Sequence, residues 1–126
     1  MGLFKVAAKH TPRLKVKFIT KGICYADNGI IVVRKPYSRA NLFEYLHECA
    51  HVVLGHLNGS GTRYNEEYEA DCYVRRVFMA EGLKVPKNTD KRQRAYIGEC
   101  IHNALMHGAK TIEPEPYKYA FGVDFS

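Results

Sequence analysis

No apolar run in this chain reaches the roughly 18 to 20 residues that a helix needs to cross a bilayer, so a membrane-spanning helix is not expected. The opening stretch, MGLFKVAAKHTPRLKVKF, lacks an apolar segment of signal-peptide length, and export is not expected either. There is no C-x-x-C pair. The four cysteines, Cys24, Cys49, Cys72 and Cys100, are widely spaced and read as small apolar residues of a reducing, cytoplasmic compartment rather than as a disulfide framework. No internal repeat or low-complexity segment is present. What remains is the profile of an ordinary globular domain. With 126 residues the chain suits one domain with a modest core. A composition of 46% hydrophobic and 25% charged residues separates it from disordered chains. The net charge of +6 would attract an acidic partner or surface.

The first third reads as strand. LKVKFI (Leu14 to Ile19) alternates apolar and basic residues, as a half-exposed strand does. GICYA offers a second strand. The Asp-Asn-Gly turn at Asp27 to Gly29 leads into a third, IIVV (Ile30 to Val33), which RKP ends. The rest reads as helix. Asn41 with Glu44 three residues on resembles a capping box, opening a helix that should run to about Leu57 and stop in NGSG. A second helix should start between Thr62 and Asn65 and stop at Gly82. A third should start near Thr89 or Asp90 and end near Gly108. The expected fold is α+β: a small antiparallel sheet of about three strands followed by about three helices. Residues 1–112 would form the domain, with 113–126 as an extended C-terminal tail.

The stretch YLHECAHVVLGH carries the chemistry. On a wheel turning about 100° per residue, Leu42, Ala50, Val53 and Leu57 fall within about 40° of Leu46 and form a core stripe. His47 and His51, four residues apart, stack one turn above the other on the flank of that stripe. Glu48 lies one step further toward the open side. Two imidazoles at this spacing can bind one zinc ion, with the carboxylate near enough to act on a water held there. A third ligand is needed. His56 lies five residues past His51, about 500° around the helix, and should point elsewhere. The better source is NEEYEADCY. There Glu67 and Asp71 stack on the flank of an apolar stripe centred on Ala70, Val74 and Val77. Packing the two stripes would bring the flanks together. Glu67 would complete a His/His/Glu site, and Asp71 would hydrogen-bond the far nitrogen of a ligand histidine. Glu66 and Glu69, on the other side, read as acids favoured by the helix dipole.

HECAH followed by EYEAD resembles the gluzincin metallopeptidases, and within them the ImmA/IrrE-type soluble enzymes and the very small minigluzincins. The resemblance covers about residues 30 to 82. It implies His47, His51 and Glu67 as zinc ligands, Glu48 as general base and Asp71 behind the ligands. It also implies that IIVV is an edge strand along which a peptide substrate lies.

The expected reaction is zinc-assisted peptide hydrolysis, with Glu48 moving a proton from water to the leaving amine. Tyr64, Tyr73, His102 and His107 are candidates for stabilising the oxyanion. The partner is a protein or peptide substrate, with an acidic chain or a DNA-binding regulator as candidates. Lys84, Lys87, Lys91, Arg92 and Arg94 cluster at the start of the third helix, but no nucleic-acid-binding motif accompanies them. The alternatives are a zinc-bound interaction module without activity, for which Glu48 has no use, and a structural zinc domain, which wants a fourth protein ligand. The tail carries Tyr117, Tyr119, Phe121 and Phe125. It would lie along the cleft and limit access, or else cover the back of the sheet.

Overall fold

The computed structural model describes residues 2–56 and 62–124. It has the expected α+β character, with three strands and five helices among the described residues: α1 (Leu3–His10), β1 (Lys15–Phe18), β2 (Tyr25–Asp27), β3 (Ile30–Val33), α2 (Arg39–Val53), α3 (Arg63–Ala80), α4 (Lys87–Met106) and α5 (Pro114–Phe121). Leu57, the NGSG stop at 58–61 and Phe125 lie outside the described residues. Among the described residues no helix is long and apolar enough to cross a membrane, and all four cysteines are free thiols.

The sheet is mixed rather than antiparallel, in the order β1-β3-β2. The Asp27–Gly29 turn makes the expected hairpin, with Ala26 opposite Ile31 and Gly29 at φ +74. β1 then pairs with the far side of β3 in parallel, Val16 opposite Ile31. IIVV is therefore the central strand, not an edge. Its physical reason is composition: Ile31, Val32 and Val33 are all buried, so the strand needs cover on both faces and a neighbour on each side. The alternating, half-exposed LKVKFI segment suits an edge.

α1 was not legible as a helix. It is eight residues long and has no side-chain cap, yet it buries Val6 and Ala7 against the main core. The cap of α2 lies three residues before the expected one: Ser38 Oγ, not Asn41, accepts a backbone N–H, that of Asn41, at 3.1 Å. Leu42, Leu46 and Ala50 are fully buried as the stripe requires, but Val53 is half-exposed near the helix end. α3 ends before Gly82, whose φ of +70 closes it. Phe43 of α2 meets Phe78 of α3 edge-on, with ring centroids 5.7 Å apart.

The tail is not extended. α5 packs on α4 and α3 within a second core containing Tyr64, Ile97, Ile101 and Ile112. Pro114 and Pro116 sit in its first turn, where backbone N–H groups have no intrahelical acceptor to lose. α5 covers neither the back of the sheet nor the cleft described below. Arg94 turns inward to Asp90 and Tyr119, leaving Lys84 before α4 and Lys87, Lys91 and Arg92 in its first turns exposed.

Candidate metal centre

The flanks of α2 and α3 meet. His47 Nε2 lies 2.9 Å and His51 Nε2 2.8 Å from the same oxygen of Glu67, and the two nitrogens are 3.1 Å apart. These three donor atoms form a group that could hold a metal ion. Ligand atoms on a tetrahedral centre with bonds of about 2.0–2.1 Å stand roughly 3.3 Å apart, so only small outward movements separate this triangle from a ligand set. Two imidazoles and one carboxylate are also a donor set that divalent transition metals accept.

The electrostatics are those of a site held by charge. Burial alone would lower the pKa of His47, but the carboxylates of Asp71 and Glu67 outweigh it and hold the imidazole up at about 10. Burial would raise Glu67, but His47 and His51 outweigh it and keep the carboxyl well below the usual range. Glu48 is raised, because burial outweighs the opposing pull of the two histidines.

Each histidine is braced from behind. Asp71, fully buried, places Oδ1 2.9 Å from His47 Nδ1, an ion-pair contact rather than a well-aligned hydrogen bond. His51 Nδ1 lies 2.9 Å from Nδ1 of His56, whose Nε2 lies 3.1 Å from Glu69. His56 does not point elsewhere. The helical wheel fails there because α2 stops at Val53 and Gly55, at φ +75, turns the chain back. Glu69 is likewise tied to this arm and is more than a helix-dipole acid.

The ligand group opens onto a cavity of about 610 Å³. Glu48 lines it, as does β2 through Tyr25 and Ala26, so the strand beside the cleft is β2 and not IIVV. Arg63 of α3 and Tyr96 of α4 also line it, joined by a 2.6 Å hydrogen bond from the guanidinium to the phenol oxygen. Neither belongs to a motif or spacing pattern that marks it in the sequence. The four residues considered as oxyanion donors do not line this cavity. Tyr64 is buried in the second core, its oxygen accepting the Glu113 N–H at 3.0 Å. Tyr73 packs on the main core, and His102 on α4 and His107 just past its end are exposed.

Comparison with protein-family models, with curated proteins and with solved structures gives no match. The site therefore stands on its own geometry.

Proposed function

We propose that this chain is a zinc-dependent peptidase that hydrolyses a peptide bond in a protein or peptide, and that it works in the cytoplasm, where its free thiols would stay reduced. One observation carries the reading: His47, His51 and Glu67 converge on one point at the wall of a cavity that Glu48 also lines. Three protein donors facing open space suit a catalytic site, whereas a structural zinc site wants four. The likeness of HECAH and EYEAD to the gluzincin pattern supports the same assignment.

Zinc bound there would supply a Lewis acid and make a water more acidic. Glu48 would accept that water's proton and deliver it to the leaving amine. Arg63 and Tyr96 face the cavity with N–H and O–H donors suited to charge developing on the carbonyl oxygen. Asp71 and His56 would keep the two imidazoles aimed.

The test is zinc content by elemental analysis beside cleavage of a mixture of unstructured peptides. The wild-type chain should carry about one zinc and cleave. Glu48→Gln should keep the zinc and the fold while cleavage falls by about 10²- to 10⁴-fold, since an amide cannot take the proton. Undiminished cleavage by Glu48→Gln would remove it as the base.

A further inference from the structure

Asp71 is reached from three other helices. His47 of α2 brings Nδ1 to 2.9 Å from Oδ1. Gln93 of α4 donates its amide to the same oxygen at 2.9 Å. Tyr119 of α5 donates its hydroxyl to the other oxygen at 2.7 Å. Chemistry fixes which group carries the proton at each of these contacts. The Arg75 guanidinium can only donate, so the Tyr119 oxygen accepts from it at 2.8 Å and must turn its single proton to Asp71. A carboxylate can only accept, so His47 faces Asp71 with Nδ1–H, and its other nitrogen is the one turned to Glu67.

Tyr119 is itself held tightly. The guanidinium carbons of Arg75 and Arg94 lie 5.0 and 4.3 Å from its ring centroid. Arg94 also donates to its backbone carbonyl at 2.8 Å, and both arginines pair with Asp90 at 2.8 and 3.0 Å. Without that hydroxyl, one oxygen of a fully buried carboxylate would lose its donor, and the carboxylate would be freer to turn away from His47.

The geometry points to Tyr119 as a positioning residue of the metal centre: the last helix holds Asp71 so that Asp71 can hold His47. This deepens the proposed function and rests on the His47, His51 and Glu67 group binding an ion. It makes α5 part of the support of that site, although no α5 residue faces the cavity among those described.

The experiment is zinc affinity by competition with a chelator, with the absorption spectrum of the cobalt-substituted protein as a second readout. Tyr119→Phe keeps the ring beside the two arginines and deletes only the hydroxyl. It should weaken zinc binding about tenfold or more, within the range typical of partners behind metal ligands, and alter the cobalt spectrum. Asp71→Asn should weaken binding at least as much. The double variant should bind no worse than Asp71→Asn alone, because the two residues act in series. Tyr68→Phe, altered in a ring that packs on Tyr119 at 5.3 Å, should bind as wild type does. Wild-type affinity in Tyr119→Phe, even with a lowered melting temperature, would overturn the proposal and leave the metal site standing. So would additive losses in the double variant. A wild-type chain that takes up no zinc would instead overturn the metal site, and this inference with it.

Discussion

The Nε2 atoms of His47 and His51 stand 3.1 Å apart with their ring planes 85° to one another, and both reach a single oxygen of Glu67. One residue of the α3 face is therefore shared by two of the α2 face, and losing any of the three opens the triangle. His47→Ala, His51→Ala and Glu67→Ala should each abolish most zinc uptake, read as metal per chain after gel filtration. Chelation of the wild-type protein should lower its melting temperature. An ion present at a hundred times its dissociation constant contributes about 2.7 kcal/mol, or roughly 10 °C for a domain of this size. Retention of zinc by all three variants would end the proposal.

Arg63 of α3 and Tyr96 of α4 share a hydrogen bond on the cavity wall. If they stabilise charge developing on the substrate carbonyl, Arg63→Ala should lower kcat by about 10²-fold or more while zinc content stays at the wild-type level. Tyr96→Phe should lower it in the same direction. His102→Ala and His107→Ala, altered on the exposed side of α4, should leave kcat unchanged. A fall in His102→Ala equal to that in Arg63→Ala would return the role to α4's exposed face.

Much of the centre could be read from local spacing. His47 with His51, and Glu67 with Asp71, are pairs one helical turn apart beside apolar stripes, and helical geometry alone puts each pair on one flank. What could not be read were the residues supplied by chain reversals and distant helices. His56 reaches His51 because Gly55 turns the backbone, which a wheel cannot represent. Gln93 and Tyr119 reach Asp71 across 22 and 48 residues of sequence, a meeting that no periodicity encodes. The sheet order was hidden for a related reason. Consecutive strands are expected to pair, but the segment from Ile19 to Cys24 carries the chain past β3, leaving β1 to pair in parallel.

Cys49 lies in the main core with no exposure, and burial, helped by Glu48, pushes its thiol up to about 12. It should resist alkylation at pH 8 in the folded protein and react once the chain is unfolded. The sign of the pH effect follows. Above the ordinary thiol value, near 8.5, the unfolded chain gives up this proton while the folded chain keeps it. Stability is therefore intact below that pH and declines as pH rises toward the folded value, by up to about 1.4 kcal/mol per pH unit from this group. Cys49→Ala should flatten the fall of melting temperature between pH 9 and 11. An unchanged slope would assign the alkaline loss to other groups.

Deleting residues 113–126 tests what the C-terminal helix is for. Sequence alone allows an extended segment lying along the cleft, and removing such a segment would raise activity on an unstructured peptide. The structure puts Tyr117 and Tyr119 against the second core and the Tyr119 hydroxyl on Asp71. Removal therefore strips cover from Ile97 and Ile101 and leaves a buried carboxylate short of a donor. The expected loss is about 3 kcal/mol or more, a drop of roughly 10 °C in melting temperature. Zinc affinity should fall with it, and cleavage per folded molecule should fall or stay level. Activity that rises in the shortened chain, with melting temperature preserved, would show that α5 shields the site from substrate rather than supporting it from behind.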